Sequence, residues 1–403
     1  MKEFQRSISL VVHSGRTHRV RQAVASLLCV GLGLGVVQLS LADAADPDAP
    51  GGTLVTPRTD HTATLLADGR VLLAGGYDGA LAATVSAEIY NPTTNTWTAT
   101  VNLNQGRRDH GTVLLSDGRA LSMGGSTTGD VSTVTTSAEI YNSATGLWTV
   151  TPDMITARSF FDPVLLANGK VLVTGGHIAG PPFETASCEL YDPATGTWSA
   201  TGSLLQPRTQ YHATLLADGR VLVAGGFNQT AGLIAQSELY DPATGTWSSS
   251  GSLNIPRDSN VQVRLADGRV LVAGGIKRFG FETHPPKITA SAEIYDPVTG
   301  IWSPKGSLNT PRIDFSANLL NDGRIFAAGG WDIGATGGPP QVYSSIEEYA
   351  PSTGRWRTLR NTLAAPRFGH TATNLLDGSL IIAGGRDSTF TLLSTAELFV
   401  RPR

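Results

Sequence analysis

The sequence predicts an all-β fold in which seven four-stranded antiparallel sheets surround a common axis, a β-propeller. A Gly-Gly pair recurs seven times at intervals of about fifty residues, which is typical of a repeat architecture. Glycine is abundant, with 46 of 403 residues, and charged residues make up only 16%. The apolar run before each pair is continuous, as expected for a strand covered on both faces. The pairs begin at Gly75, Gly124, Gly175, Gly225, Gly274, Gly329 and Gly384.

The first 44 residues are interpreted as a secretory signal outside the fold. Three arginines precede an apolar run at 23–42, and the small-residue stretch "ADAA" follows it, so cleavage is expected after Ala44. An uncleaved membrane anchor is the alternative, because a run of about twenty residues is long enough to span a bilayer. Residues 45–403 are then one propeller domain, secreted to a periplasmic or extracellular location.

The chain has two cysteines, and one of them, Cys29, lies in the predicted signal. Cleavage would leave Cys188 alone. No intrachain disulfide could then form, so the fold must be held together by packing. The formal net charge is −3 and no basic block is present, which gives no indication of a nucleic-acid-binding surface.

The fourth repeat shows the four predicted strands most clearly. Strand a is 211–216, and the Asp218-Gly219 dipeptide after it predicts a two-residue hairpin turn of type I′. Strand b, "RVLVAGG", ends at the paired glycines, which permit close approach of another backbone. Strand c is 237–241, "DPATGT" then predicts a tight turn, and strand d begins at Trp247.

The repeat resembles the kelch motif, in which Gly-Gly is followed by a tyrosine in strand c and a tryptophan in strand d. The tyrosines are Tyr90, Tyr141, Tyr191, Tyr240, Tyr295 and Tyr349. The tryptophans are Trp97, Trp148, Trp198, Trp247, Trp302 and Trp356. The resemblance extends over about residues 50–400 and is greatest to the propeller of galactose-oxidase-type proteins. It implies a seven-bladed kelch-type β-propeller.

The two ends of the chain are predicted to meet in one blade. The seventh repeat contains a strand c, "TAELF", but no tryptophan strand after it. Near the amino terminus, "GTLVTPR" at 52–58 matches "GSLLQPR" at 202–208, which is the end of a strand d. We therefore predict that residues about 48–56 complete the seventh blade, close the ring and remove its exposed edges.

The predicted binding surface is the face that carries the b–c and d–a connections, because function is usually found in loops on a rigid scaffold. The b–c connections of repeats five and six are the longest, and the residue after Gly-Gly varies between repeats. The candidate ligand-binding residues on this face are Phe279, Phe281, His284, Trp331, Tyr343 and His177. The alternative is that these aromatic residues only pack against the blade edges.

An arginine precedes every strand a, and a glutamate recurs in every strand c. Seven of each predict a structural ion pair within or between blades, for which the planar guanidinium group is suited. The kelch resemblance implies another role, since arginines near this position contact ligands in several kelch propellers. Arg257 and Arg312 are therefore further candidate ligand-binding residues.

The resemblance also implies enzymatic alternatives. A copper-radical sugar oxidase would need a tyrosine cross-linked to a cysteine and a ligand from outside the propeller, whereas Cys188 occupies a strand-c position that is alanine in other repeats. A sialic-acid mutarotase would need acid and base groups at the channel mouth. His61, His110 and His370 stand at equivalent positions and have the chemistry to bind zinc or copper. We nevertheless expect no catalytic residue, metal or cofactor, and a non-catalytic module that binds a protein or glycan.

Overall fold

The structure, a computed structural model, describes residues 49–278, 287–334 and 339–400. The predicted signal, 1–44, lies outside these ranges, and so do the candidate residues Phe279, Phe281 and His284. Over the described ranges, no helix has the length and apolar character needed to cross a membrane.

The described strands form seven four-stranded antiparallel sheets, which confirms the predicted all-β, seven-bladed propeller. Blade 1 contains Thr62–Leu65, Val71–Ala74, Ala87–Asn91 and Thr96–Ala99. Blade 2 contains Gly111–Leu114, Ala120–Met123, Ala138–Asn142 and Leu147–Thr151. Blade 3 contains Pro163–Leu165, Val171–Thr174, Cys188–Asp192 and Thr197–Thr201. Blade 4 contains His212–Leu215, Val221–Ala224, Gln236–Asp241 and Thr246–Ser252.

The remaining blades follow the same a–b–c–d order. Blade 5 contains Val261–Arg264, Val270–Ala273, Ser291–Asp296 and Ile301–Ser307. Blade 6 contains Ser316–Leu319, Ile325–Ala328, Ser345–Ala350 and Arg355–Thr362. Blade 7 contains Thr371–Asn374, Leu380–Ala383, Thr395–Phe399 and Ala49–Thr53. Three two-stranded ribbons lie in the b–c connections: Phe227–Asn228 with Gly232–Leu233, Ile276–Arg278 with Lys287–Ile288, and Trp331–Asp332 with Gln341–Val342.

The amino-terminal strand closes the ring, as predicted. Ala49–Thr53 pairs antiparallel with strand c of blade 7, with Pro50 opposite Glu397 and Thr53 opposite Thr395. Each strand a contacts strand a of the next blade, and this circle includes a contact between blades 7 and 1. The seven a strands therefore line the central channel.

The Gly-Gly pairs join consecutive blades through their backbone. The second glycine of each pair donates its amide hydrogen to the carbonyl of the arginine that precedes strand a of the next blade, and Gly385 makes this bond to Arg58 at 2.8 Å. A Cβ on the first glycine of a pair would collide with that carbonyl; on Gly75 it would lie 2.4 Å from the Arg107 oxygen. Both Gly75 and Gly76 also have positive φ, 64° and 101°. Only glycine fits this junction without strain.

Strand b contributes to two hydrophobic cores. In blade 1, Val71 and Leu73 pack against blade 7, whereas Leu72 and Ala74 pack against blade 2. The same division in every blade produces one core at each of the seven blade interfaces of the described chain. The continuous apolar pattern of strand b thus has the predicted cause, burial on both faces.

The a–b turns differ from the predicted two-residue type I′ turn. In blade 4 the Gly219 amide donates to the Leu216 carbonyl, and the Leu216 amide donates to the Arg220 carbonyl. Within this turn only Gly219 has a positive φ, 88°. The Asp218 carboxylate accepts the Arg220 amide hydrogen at 3.1 Å, which stabilises an ordinary backbone conformation at the aspartate. The connection is therefore a three-residue loop with a left-handed glycine at its end.

Candidate functional site

The seven predicted arginine–glutamate pairs lie inside the blades, and we call each of them a clamp. Arg257 Nη2 lies 2.8 Å from Glu293 Oε1, and Arg257 Nη1 donates to the carbonyls of Gly274 and Ser291. All seven clamp arginines are 0% exposed. The prediction of a structural ion pair in each blade is confirmed.

Each clamp also fixes the d–a connection of its blade. Glu293 accepts the backbone amide hydrogens of Asn254 and Ile255, which precede Arg257. Arg312 forms the equivalent pair with Glu347 at 2.7 Å. Arg257 and Arg312 therefore hold the d–a connections from within their blades, and both side chains are 0% exposed. A ligand-binding role for either arginine stays a prediction.

Two residues after each clamp arginine, the backbone turns into strand a with a positive φ, between 49° and 62°. We call these seven positions the mouth ring: Asp60, Asp109, Phe160, Gln210, Ser259, Asp314 and Gly369. Four of the neighbouring pairs are joined by a backbone hydrogen bond, such as the 3.0 Å bond from the Phe160 amide to the Asp109 carbonyl. The left-handed conformation is unfavourable for residues with a side chain, and such positions concentrate at functional sites.

The b–c connections meet the d–a connections at this ring. In each blade the residue before the mouth-ring member forms an antiparallel bridge with the residue after Gly-Gly, as Ser159 does with His177 and Ile313 with Trp331. Both sets of connections therefore share one face, as the sequence predicts.

A cavity of about 260 Å³ opens at the mouth ring. Its side chains come from five blades and include mouth-ring members and residues one or two positions further along the chain. The polar and aromatic residues that line it include Asp109, Phe160, Asp162, Gln210, His212, Ser259 and Asp314.

Two of the aspartates that line the cavity, Asp109 and Asp314, have raised pKa values. Burial is the main cause for Asp109, and the charges of Asp60 and Asp314 raise its pKa further, against the opposing effect of Arg108. The Asp314 side chain faces the channel. Desolvation by the surrounding channel walls raises its pKa, and the negative charge of Asp60 raises that pKa further. These carboxylates therefore repel one another across the channel mouth.

Asp258 precedes the cavity residue Ser259 in the chain and forms an antiparallel bridge with Ile276. Its side chain is 0% exposed, and neither carboxylate oxygen accepts a hydrogen bond of good geometry, although the adjacent Ser259 hydroxyl acts to lower its pKa. Burial, together with the charge of Asp314, raises the pKa of Asp258 to about 7.

A histidine–aspartate pair breaks the symmetry of the repeat inside the cavity. His212 Nδ1 lies 2.7 Å from Asp162 Oδ2, across the interface between blades 4 and 3. Burial lowers the pKa of His212, but the charge and hydrogen bond of Asp162 and the carbonyl of Asn260 raise it above its ordinary value. The pair therefore favours the imidazolium form of His212.

An aromatic cluster covers the face between blades 6 and 7. Trp331 stacks on Phe368 with ring centroids 4.9 Å apart, and Phe390 packs edge-on against both rings. Trp331 Nε1 donates to Asp314 Oδ2 at 2.7 Å, so the cluster is joined to the mouth ring. Phe390 is 45% exposed.

The other two described aromatic candidates lie beside the same ring. His177 stacks on Phe183 and contacts Phe160 edge-on, with a centroid distance of 6.4 Å to Phe160. Tyr343 is half-buried and lies over the Arg312 guanidinium group, 5.4 Å from its ring centroid. His177 and Trp331 thus contact mouth-ring residues, whereas Tyr343 covers a clamp.

The three equivalent histidines, His61, His110 and His370, each join two blades. Their Nε2 atoms each lie 3.0 Å from a hydroxyl oxygen of the preceding blade. Burial lowers the pKa of all three, that of His370 to about 3, so they are neutral near pH 7. Among the described residues, no three His, Cys, Asp or Glu side chains are grouped as metal ligands would be.

Cys188 is a core residue that shares a hydrophobic cluster with Tyr211, a residue of the cavity wall. It lies in the core between blades 3 and 4, where burial raises the pKa of its thiol to about 11. The raised pKa keeps this thiol protonated near pH 7, and we derive no reaction step through copper.

Sequence reasoning missed the mouth ring and the Asp162–His212 pair. A signal was present, because the position two residues after the clamp arginine varies between repeats whereas the arginine itself is the same in all seven. The left-handed conformation that turns these side chains toward the channel cannot be read from that variation alone.

Comparisons with known proteins agree with this architecture. The family described as Kelch motif matches residues 58–104 and 259–309. An F-box/kelch-repeat protein of Arabidopsis thaliana is 35% identical over 107 residues, which is 26% of this chain and 26% of that protein. A fungal alcohol oxidase of the AA5 family, solved in complex with copper, has a TM-score of 0.69 and 20% identity, over 89% of this chain and 77% of its own. This last similarity concerns the fold.

Proposed function

We propose that this protein, a seven-bladed propeller of kelch repeats, is a secreted, non-catalytic recognition module. It binds a protein or glycan through the face around the mouth ring. The observation that carries the proposal is the contrast between scaffold and ring. The clamps and Gly-Gly junctions are the same in every blade, whereas the mouth ring presents three aspartates, a phenylalanine, a glutamine, a serine and a glycine. A constant frame with varied side chains on one face suits recognition.

The aromatic cluster supports the same face. Trp331 and Phe390 give a rigid apolar surface beside polar groups, which is the composition of binding hot spots. Arg386 and Arg108 extend this surface into blades 7 and 2, since both lie over the ring of Tyr77, at 5.2 and 5.8 Å. We include Phe279, Phe281 and His284 in the proposed face as a prediction from sequence.

The binding proposal is tested with the purified protein on a glycan array and in a pull-down from cell-surface proteins. Phe390→Ala should weaken capture of whatever ligand is found, because it removes the exposed ring of the aromatic cluster. The matched control is Val298→Ala in a c–d turn of the opposite face, where the side chain is 91% exposed. Equal capture by both variants would contradict the proposed face, and no capture by the parent protein in either assay would contradict the proposed function.

Secretion is proposed from the sequence of residues 1–44. Amino-terminal sequencing of the protein recovered from the periplasm or medium should give Ala45 as the first residue. Recovery only from the membrane fraction with an intact amino terminus would support the anchor and contradict secretion.

The cavity also bears on the carbohydrate-enzyme alternative. Asp109 and Asp314 line it, and their carboxylates would repel a negatively charged sugar acid. For this reason we favour recognition over chemistry on sialic acid.

A further inference from the structure

We propose that the cavity at the mouth ring receives a guanidinium group, the arginine side chain of a protein partner. This inference rests on the proposed recognition function and deepens it, because it selects a protein ligand and places one of its side chains. Four features of the described residues support it: the charge balance, the spacing of the carboxylates, the aromatic wall and one buried carboxyl group without a cationic partner.

The charge around the cavity is negative. The carboxylates are Asp60, Asp109, Asp162, Asp258 and Asp314, and the cationic groups that face them are Arg108, His212 and Arg386. His212 is already paired with Asp162 at 2.7 Å, and Arg108 lies 3.5 Å from both Asp60 and Asp109, a loose contact. Asp258 and Asp314 have no cationic side chain among the groups that shift their pKa. A ligand cation would relieve the repulsion among these groups.

The spacing of the carboxylates favours an organic cation. A metal ion needs several ligands within about 2–2.6 Å of one point. Although three carboxylates line the cavity, the described residues contain no such group of three His, Cys, Asp or Glu side chains. Asp109, Asp162 and Asp314 come from blades 2, 3 and 6, so they reach the cavity from different sides, and a cation with several separate donors can bond more than one of them.

The cavity wall favours guanidinium over ammonium. Phe160 offers a ring against which a planar cation can stack. The Gln210 amide and the Ser259 hydroxyl add acceptors beside Asp109 and Asp314. Guanidinium has five N–H donors in a fixed plane and loses less hydration energy than ammonium, so it can bond separated acceptors while it stacks.

The buried carboxyl group of Asp258 is the independent observation. It is 0% exposed, no cationic side chain acts on it, and beyond the adjacent Ser259 hydroxyl neither oxygen has a hydrogen-bonding side chain, while the charge of Asp314 acts on it. Such a group is costly unless something compensates it. A cation bound against Ser259 and Asp314 would supply that compensation.

The test compares three small probes on the full chain: the N-acetyl methylamides of arginine, lysine and citrulline. Citrulline has the shape of arginine without its charge. Binding is measured by saturation-transfer NMR and calorimetry at low salt. Arginine should bind most tightly, and citrulline about tenfold more weakly or worse, since it lacks the charge-assisted hydrogen bonds.

The variants are Asp314→Asn and Asp109→Asn, with Asp267→Asn on the opposite face as the matched control. Asp267 lies in an exposed a–b turn, paired with Arg269. The first two should remove the preference for arginine over citrulline while the thermal melting temperature stays within a few degrees of the parent, and the control should keep the preference. Parallel titrations with Ca²⁺ and Zn²⁺ should show no binding that depends on Asp314.

The possible outcomes separate the guanidinium inference from the proposed recognition function. Equal binding of arginine and citrulline, an unchanged preference in Asp314→Asn, or Asp314-dependent metal binding would overturn this inference. If capture of a protein or glycan still depended on Phe390 in any of those cases, the proposed recognition function would stand although the guanidinium inference had failed. A ligand captured only from the glycan array would overturn the choice of a protein partner.

Discussion

At the scale of single residues, the clamp arginine connects stability to the binding face. Its side chain bonds the glutamate and glycine carbonyl of its own blade, and its backbone carbonyl accepts the glycine amide of the preceding blade. The mouth-ring residue follows two positions later. A buried residue therefore helps to fix the geometry of the face around the mouth ring.

Arg257→Ala should lower the free energy of unfolding by about 3–5 kcal/mol, because it leaves Glu293 buried without its charge partner. Chemical denaturation measures this loss. Arg355→Ala, at an exposed arginine of blade 6, is the control and should change stability little. If Arg257→Ala kept the stability of the parent protein but lost ligand capture, Arg257 would be a ligand-binding residue and not a structural one.

Asp258 gives a pH-dependent prediction. Its folded pKa of about 7 lies above the ordinary value of 3.8, so its contribution to stability is fully present below pH 4 and is lost as the pH rises through 7. Above that range the ionised group costs up to about 4 kcal/mol, at 1.36 kcal/mol per pKa unit. Asp258→Asn should therefore stabilise the protein more at pH 8 than at pH 5.

Denaturant titrations of Asp258→Asn and Asp267→Asn at the two pH values provide the check. The carboxyl group of Asp267 has a lowered pKa from its bond to Arg269, so its substitution should give no gain at pH 8. A gain for Asp258→Asn that is the same at both pH values would show that the buried carboxyl group is not ionising in this range.

At the scale of elements, the tryptophan of strand d joins neighbouring blades. Trp247 packs on Tyr240 with ring centroids 5.2 Å apart, and its Nε1 donates to the Gly202 carbonyl at 3.0 Å. Trp97 makes the corresponding bond to Gly51 at 2.9 Å, in the strand that closes the ring. The kelch tryptophan is therefore both a core residue and a polar contact between blades.

Trp247→Phe should cost about 1 kcal/mol more than Trp356→Phe, because only the first removes a hydrogen bond. Trp356 is the matched control: it is 9% exposed, like Trp247 at 8%, and its Nε1 has no partner. Equilibrium unfolding of the two single variants provides the measurement. Equal losses would mean that the indole bond adds nothing beyond packing.

The elements also show what a single sequence can and cannot predict. The order of the four strands and their double-sided burial follow from the apolar run and the Gly-Gly pair. The prediction of a type I′ a–b turn is wrong, because the Asp-Gly dipeptide fits both turns and the choice depends on the hydrogen bond that the Arg220 amide donates to Asp218. The short ribbon Trp331–Asp332 with Gln341–Val342 carries no pattern strong enough to predict.

At the scale of the whole molecule, closure of the ring brings seven separate d–a connections to one place. The sequence predicts this closure because 52–58 repeats the end of a strand d. It does not predict the cavity, since Asp109 and Asp314 stand far apart in the chain and meet only around the axis. The repeat pattern therefore predicts the propeller scaffold. The candidate site cannot be predicted in the same way, because it depends on how the seven blades are arranged around the axis.

The most direct test of this account joins the two ends of the ring by a disulfide. Thr53 and Thr395 are register partners in blade 7, and Cα atoms of adjacent strands lie within the range that a disulfide spans. Thr53→Cys with Thr395→Cys, in a Cys188→Ala background, should oxidise completely, with the expected cross-linked peptide in mass spectrometry and a raised melting temperature. Thr53→Cys with Thr373→Cys, which places the second thiol on the far strand of the same blade, should not cross-link. Failure of the first pair, or cross-linking of the second, would contradict the closed seven-bladed ring.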